Sequence, residues 1–263
     1  MNRIALGIEY LGSAYCGWQR QQDCLGVQNH LEQALAKIAC VPIEVFCAGR
    51  TDRGVHALGQ VVHFESPVIR PDSAWVHGVN SHLPPDIRVL WQRTVSEDFH
   101  ARFSAVARRY RYALVNRKVR SGVFHNHQAW SSYSLDVPAM HQAMQLLLGE
   151  RDFSSFRAAE CQAKHPNRCV ISASCQRQGD VVLFDIEANA FLHHMVRNIV
   201  GSLLWVGRGE KPVEWIAELL AAKDRKLAAP TAEPQGLYLT HVRYPEPWSD
   251  FPQVDMAGLW MAS

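Results

Sequence analysis

The order of the apolar patterns in this sequence constrains its fold more than any other feature. Alternating apolar residues over positions 4–10 predict a strand, and an apolar residue every three or four positions over 27–38 predicts a helix. The rest of this half predicts strands over 43–47 and 60–65, a helix from position 71 onward, and a strand over 87–95. This β-α-β-β-α-β order is typical of a ferredoxin-like unit.

The second half repeats this alternation loosely. It predicts a strand over 108–115, a helix over 137–148, a hairpin from 169–177 and 181–187, helices over 192–204 and 213–222, and a last strand over 236–244. We therefore expect an α+β protein of two ferredoxin-like, RNP-like halves whose mostly antiparallel mixed sheets meet at a central cleft. The predicted domains are residues 1–105 and 106–263.

Composition excludes several classes of protein. With 263 residues, 48% apolar and 20% charged, the chain is typical of a globular protein rather than a disordered one. A net charge of +2 permits an anionic partner, so any nucleic-acid site must come from local clusters. The first apolar run is too short for a signal peptide and no run is long enough to cross a membrane, so we expect a cytoplasmic protein.

The seven cysteines are odd in number and include no CxxC pair, which predicts reduced, mostly buried thiols rather than a disulfide framework or a zinc ribbon. His193 and His194 are adjacent, so they are expected to point in different directions and not to form a helical metal pair. We expect no metal. The phosphate-binding patterns GxxxxGK[ST] and GxGxxG are absent from the sequence, so no nucleotide cofactor is expected either.

Asp52 lies in the stretch CAGRTDRGVHALGQVVHF, between Arg50 and Arg53. Asp52 and Gly54 would suit a turn between two strands, which is the ordinary interpretation of such a pair. The arginines favour catalysis instead, because a close guanidinium favours the ionised carboxylate and an ionised carboxylate can serve as a nucleophile. A glycoside hydrolase would use a second, facing carboxylate, and none lies nearby in the sequence.

The segment HARFSAVARRYRY is the most basic and aromatic part of the chain. On a strand, Tyr110 and Tyr112 would share one face, and Arg109 would lie on the other. Two interpretations are equally supported. One is an edge strand with a solvated basic face, and the other is phosphate contact by the arginines with base stacking by a tyrosine.

Three more residues are candidates for substrate contact. Arg197 lies off the apolar stripe of its predicted helix, where it is either an ordinary surface residue or the partner of a carboxylate. Trp18 and Arg20 follow the first strand. They either stack on and clamp a nucleic-acid backbone or cover the core.

Several segments resemble, in the same order, those of the TruA family of tRNA pseudouridine synthases. They are IALGIEYLGSAYCGWQRQ, GRTDRGVHALGQVVHF, DFHARFSAVARRYRY, DFSSFRA, ANAFLHHMVRNIVGSL and GLYL, so the resemblance covers nearly the whole chain. One departure is Arg53, where the family usually has a small residue. Pointing outward, Arg53 would add an RNA contact, and pointing inward it would compete with Arg50 for Asp52.

The resemblance implies an isomerase that converts uridine to pseudouridine at positions 38, 39 and 40 of the tRNA anticodon stem-loop, as a homodimer and without a cofactor. It implies that Asp52 is the nucleophile, acting at uracil C6 or at sugar C1′. Tyr110 would stack on the flipped uracil, and Arg197 would pair with Asp52. Arg50 would hold the position left by the extruded base or contact the RNA backbone.

Two other functions stay open at this point. A non-catalytic tRNA-binding or tRNA-folding module would use the same basic residues, with Asp52 as a turn residue. A nucleoside or glycoside hydrolase would release free uracil or sugar, although the lone carboxylate argues against it. The resemblance favours the synthase.

Overall fold

The computed structural model describes residues 2–254. Its strands are β1 (Asn2–Tyr10), β2 (Phe46–Cys47), β3 (His56–Ser66), β4 (Ile87–Val95), β5 (Ala107–Asn116), β6 (Ala129–Ser131), β7 (Gly149–Asp152), β8 (Asn167–Gln178), β9 (Val181–Ala188) and β10 (Leu237–Arg243). Its α-helices are α1 (Val27–Ala39), α2 (Val137–Gln145), α3 (Met195–Gly207) and α4 (Trp215–Ala222). A further helical segment over 72–80 contains a π-helical turn, Ala74–Gly78.

The described chain divides into two units. The first contains residues 2–108 and 238–254, and its strands lie in the order β4-β1-β3-β10, with β2 paired to β3. The pairs β1–β3, β1–β4 and β2–β3 are antiparallel, and β10 is parallel to β3. Leu6 and Ile8 of the central strand and Leu31 and Leu35 of α1 have no exposed surface, so they form the core of this unit.

The second unit contains residues 109–237. Its sheet has the order β5-β9-β8-β7, with β6 parallel to the end of β5 and antiparallel pairing of β8 with both β7 and β9. The helices α2 and α3 pack closely where Gly207 faces Met140, since a Cβ at Gly207 would lie 2.6 Å from the Met140 sulfur. This close approach explains why a glycine ends α3.

The predicted α+β class is confirmed, and so are most of the predicted elements. The structure corrects one part of the predicted division at Ala105, because β10 lies in the first unit and not in a C-terminal domain of residues 106–263. The reason is a short parallel pairing, Tyr238 with His56 and Leu239 with Ala57, which no local pattern reveals. Among residues 2–254, no helix is both long and apolar enough to cross a membrane.

Candidate active site

Asp52 lies in the connection between β2 and β3, which we call the Asp52 loop (residues 48–55). Gly54 has a φ of 78°, in the left-handed region that favours glycine, and the Val55 N–H donates to the Asp52 carbonyl at 3.1 Å. The predicted turn at Asp52 and Gly54 therefore exists in the backbone. Asp52 is half-buried, while Arg50 and Arg53 are exposed, which agrees with the outward position considered for Arg53.

Buried polar side chains from β1 and β3 hold the Asp52 loop. The Tyr10 hydroxyl lies 2.8 Å from the Thr51 hydroxyl, and both residues are buried. The Gln60 amide donates to the Gly49 carbonyl at 2.6 Å and accepts from the Gly49 N–H at 3.3 Å. Because Gln60 is fully buried, these bonds satisfy groups that would otherwise be costly to remove from water. The sequence analysis missed Tyr10 and Gln60.

The segment after β1 also supports the Asp52 loop. The Trp18 N–H donates to the Thr51 carbonyl at 3.0 Å. Gly17 has a φ of 91°, and a Cβ there would lie 2.7 Å from the Thr51 carbonyl oxygen. The Trp18 ring is only 1% exposed and packs against Tyr10 at 5.9 Å. Trp18 therefore covers the core, and the expectation that it stacks on RNA is wrong because its ring has no accessible face.

Arg108, at the start of β5, fixes the beginning of the Asp52 loop. Its guanidinium donates to the Ala48 carbonyl at 3.0 Å, to the Arg102 carbonyl at 2.6 Å and to the Ala105 carbonyl at 3.0 Å. One planar cation thus joins the loop to the segment before β5. One of the two interpretations of this segment has its arginines contact phosphate, but Arg108 instead donates to three carbonyls of the protein itself.

Arg20 is paired with two carboxylates. Its guanidinium lies 3.1 Å from Glu32 and 3.2 Å from Glu44, and its side chain is 49% exposed. Two anions beside one cation reduce the positive charge that this side chain can offer to a phosphate. The geometry therefore weakens the prediction that Arg20 clamps RNA.

A disulfide joins Cys16 and Cys24 in the same region. This pairing corrects the prediction of reduced thiols, which failed because a disulfide depends on how the loop brings two cysteines together and not on their number. Of the other five cysteines, Cys175 is buried, Cys40 is exposed and the rest are half-buried. Cys40 is therefore the exposed exception to the expectation of mostly buried thiols.

In the second unit, β5 presents Tyr110 and Arg109 on different faces, as predicted. Tyr110 is 8% exposed and packs edge-on against Phe191 at 5.0 Å. Arg111 makes two bonds of 2.9 Å to Asp185 of β9, and Arg109 lies 3.9 Å from the same carboxylate. The edge-strand interpretation is wrong on this side, because β9 lies beside β5 and Asp185 lies between the two arginines.

Arg197 is half-buried in the first turn of α3. Its Nε donates to the Ala232 carbonyl at 2.8 Å, and the Ala232 N–H donates to the Arg197 carbonyl at 3.1 Å. Arg197 is therefore held in position by the segment before β10 and is not an ordinary surface residue. Burial and the Glu233 carboxylate raise the pKa of nearby Tyr112, whose hydroxyl donates to the Glu233 carbonyl at 2.9 Å.

His193 and His194 lie just before α3 and not within it. His194 has a φ of 60°, and the two imidazole rings are 4.0 Å apart. The expectation that these rings point in different directions is wrong, because it assumed helical geometry for both residues. The predicted stripe from Leu192 began one turn too early, since α3 begins at Met195.

Comparison with known proteins identifies the relatives of this chain. A family model described as tRNA pseudouridine synthase matches residues 7–104 and 143–245. Asp52 and Arg197 lie inside the matched ranges, and Tyr110 lies outside them.

Curated full-length relatives are similar over the whole chain. A protein of Hydrogenovibrio crunogenus named tRNA pseudouridine synthase A is 57% identical over 263 residues, covering 100% of both chains. Proteins with the same name from Glaesserella parasuis and Shewanella denitrificans are 59% and 57% identical, covering 98% of this chain in each case and 98% and 99% of their own length.

Proposed function

This chain belongs to the tRNA pseudouridine synthase family and isomerises uridine to pseudouridine in tRNA, and we propose that it acts on positions 38, 39 and 40 of the anticodon stem-loop with Asp52 as the nucleophile. The observation that carries the assignment of Asp52 is the support of its loop. Hydrogen bonds from buried Tyr10 and Gln60 and from half-buried Arg108 hold residues 48, 49 and 51, which precede this carboxylate. Such support preorganises a reacting group.

The isomerisation conserves atoms and electrons. The bond between uracil N1 and sugar C1′ breaks, a bond between C5 and C1′ forms, the C5 proton is lost and N1 gains a proton. An ionised Asp52 can assist in either of two ways. It can add to C6 of the uracil, or it can form a bond to sugar C1′ as the base departs. Both routes regenerate the carboxylate, so Asp52 serves as a covalent catalyst that is not consumed.

Tyr110 and Arg197 are the other proposed catalytic residues. Tyr110 would stack on the uracil and help to remove the C5 proton late in the reaction, and its packing against Phe191 supports a fixed ring position. Arg197 would balance the charge of Asp52. Its Nε–H bond to the Ala232 carbonyl supports a fixed position for the guanidinium.

The substrate must present its uridine outside the base stack, which costs a few kcal/mol. Contacts to the RNA offset this cost, and the exposed cations Arg50, Arg53 and Arg109 are the proposed contacts to phosphate. Arg50 would alternatively fill the place of the extruded base. We further propose a cytoplasmic homodimer, and light scattering that gives a monomer at micromolar concentration would overturn the dimer.

The test is pseudouridine mapping on an unmodified tRNA transcript with uridines at positions 38–40, using wild-type protein and Asp52→Asn. This substitution keeps the shape of the side chain and removes its charge. We expect pseudouridine at these positions with the wild type only, while Asp52→Asn still binds the transcript. Pseudouridine at other positions would overturn the choice of target, and an active Asp52→Asn would overturn the nucleophile.

A further inference from the structure

Four aromatic rings of the first unit form a continuous cluster, which we call the aromatic cluster (Phe46, His63, His100 and Phe103). The ring centroids are 5.2 Å apart for Phe46 and His63, 4.5 Å for His63 and His100, and 4.3 Å for His100 and Phe103. His63 forms the buried base of the cluster at 3% exposed, and its Nδ1 accepts from the Ala101 N–H at 3.2 Å.

The outer rings of the cluster are exposed to solvent. Phe103 is 75% exposed and Phe46 is 43% exposed. A single exposed apolar side chain is common, but these two rings belong to one connected group, and grouped exposed apolar surface marks a binding site. The guanidinium carbon of Arg102 lies 5.6 Å from the centre of the Phe103 ring, so a cation accompanies the most exposed aromatic face.

The surroundings of the cluster are cationic. Arg50, Arg102 and Arg108 all lie close enough to Cys47 to act on its thiol electrostatically, although burial dominates and raises the pKa of Cys47 to about 12. Burial also lowers the pKa of His63 to about 4, so this base of the cluster is uncharged at pH 7. The result is a neutral aromatic surface with arginines beside it, which suits a base and its phosphate better than an apolar peptide.

The cluster is tied to the Asp52 loop. Phe46 lies six positions before Asp52, so even a fully extended chain would separate their Cα atoms by only about 20 Å. Arg108 donates to the carbonyl of Arg102 and to that of Ala48, which links the exposed side of the cluster to the start of the loop. An RNA that places a uridine at Asp52 would therefore have neighbouring nucleotides within reach of Phe103.

We infer that the aromatic cluster is a second RNA subsite, in which an unstacked base of the tRNA lies on the Phe103 ring and its phosphate faces Arg102. This inference rests on the proposed function, because it assigns a further contact to the same substrate. It also gives the exposed rings a role in distorting the stem-loop. Stacking on Phe103 replaces part of the stacking that the RNA loses when its uridine leaves the helix.

The first test measures the affinity for an anticodon stem-loop transcript in an Asp52→Asn background, where no turnover occurs. Phe103→Leu removes the ring and keeps an apolar side chain, whereas Phe103→Trp keeps a ring. We expect Phe103→Leu to raise Kd about 5- to 150-fold, the range that loss of one stacked base gives, and Phe103→Trp to keep Kd within about threefold. Ile69→Ala, at an 83% exposed position outside the cluster, is the control and should leave Kd unchanged.

A second measurement detects the stacking itself. Single 2-aminopurine substitutions are placed one to four nucleotides from the target uridine, and the fluorescence change on binding is compared between the protein that retains Phe103 and the Phe103→Leu variant. With 2-aminopurine at one of these positions, we expect the protein that retains Phe103 to quench the fluorescence. The Phe103→Leu variant should not quench it at that position. Quenching that is the same for both proteins at all positions would overturn the inference.

The outcomes separate this inference from the proposed function. If the wild type makes pseudouridine at positions 38–40 and Phe103→Leu binds RNA normally, the subsite is wrong and the proposed function stands. If Phe103→Leu instead turns a dimer into a monomer in light scattering without a ring-specific change in Kd, the cluster is an interface between two copies. That result also overturns the subsite. A wild type without pseudouridine formation at positions 38–40 would reject the proposed target.

Discussion

The Asp52 loop and the aromatic cluster both belong to the first unit but use their side chains in different ways. In the loop, hydrogen bonds from Tyr10, Gln60 and Arg108, which are buried or half-buried, fix the residues just before the carboxylate. In the cluster, the outer rings, above all Phe103, are left exposed. A loop that must hold a reacting atom gains from rigidity, whereas a surface that must accept RNA needs accessible area. We therefore expect changes in the loop to lower the rate of the chemical step and changes in the cluster to weaken binding.

The largest expected effect comes from Gly17→Ala, which acts on the Asp52 loop through its backbone. A Cβ at this position would lie 2.7 Å from the Thr51 carbonyl oxygen, and the φ of 91° is unfavourable for alanine. The loop must move, so we expect kcat to fall at least about 100-fold, together with a lower melting temperature. Gly122→Ala is the control, because no atom lies within 4 Å of a Cβ there. A Gly17→Ala enzyme with wild-type kcat would show that the loop tolerates displacement.

The next prediction compares the stability of variants at two glutamines of the first unit. Gln60→Leu leaves the N–H and the carbonyl of Gly49 without their partner, so we expect the free energy of unfolding to fall by about 1–3 kcal/mol and kcat to fall with it. Gln92 has a buried amide oxygen with no hydrogen-bond partner in the part of the chain that the structure describes. Gln92→Leu should therefore leave stability unchanged or raise it. Chemical denaturation of both variants measures the difference, and equal losses would contradict this account.

A smaller effect concerns the base of the aromatic cluster at acid pH. Burial lowers the pKa of His63 to about 4, whereas an imidazole in the unfolded chain has a pKa of about 6.5. Between these values the unfolded chain binds more protons than the folded protein, so stability falls as the pH drops from about 6.5 to about 4. His63→Gln removes this contribution. We expect the free energy of unfolding of the variant to depend less on pH over that range, and identical pH dependence would contradict the assignment.

The smallest expected effect is that of Arg53→Ala, which should change RNA binding without changing the rate of the chemical step. Arg53 is exposed and lies next to Asp52, so its proposed role is a phosphate contact without a part in the reaction. Loss of one such contact should reduce the slope of log K against log salt by about 0.7–0.9 and leave kcat unchanged. Binding titrations at several salt concentrations measure this slope. A large fall in kcat would mean that Arg53 acts on Asp52 itself.

Local sequence patterns predicted much of the fold and the turn that contains Asp52, the proposed nucleophile. The bounds of β4 matched the prediction, and the strand, turn and strand around Asp52 were expected from apolar patterns and from Gly54. These features depend on residues that are close in sequence. Periodicity alone therefore locates them.

The support of the site could not be predicted in the same way. The bond between Tyr10 and Thr51 joins residues 41 positions apart, and the pairing of β10 with β3 joins residues even more distant in sequence. The burial of Trp18 and the disulfide from Cys16 depend on how one loop packs, which composition does not determine. A nonlocal hydrogen bond leaves no periodic pattern in the chain, so only the folded structure reveals it.

The most direct test of this division is single-turnover kinetics over a range of enzyme concentrations in excess of tRNA, with Tyr10→Phe and Phe103→Leu side by side. Tyr10→Phe removes only the hydroxyl beside Thr51, and Tyr244→Phe, which loses a bond to the Ala101 carbonyl, controls for loss of a buried hydroxyl. We predict that Tyr10→Phe lowers the rate constant at saturation with an unchanged half-saturating concentration, and that Phe103→Leu raises the half-saturating concentration with an unchanged rate constant. If both variants change the same parameter, the account is contradicted, because the loop would not act on the chemical step alone and the cluster on RNA binding alone.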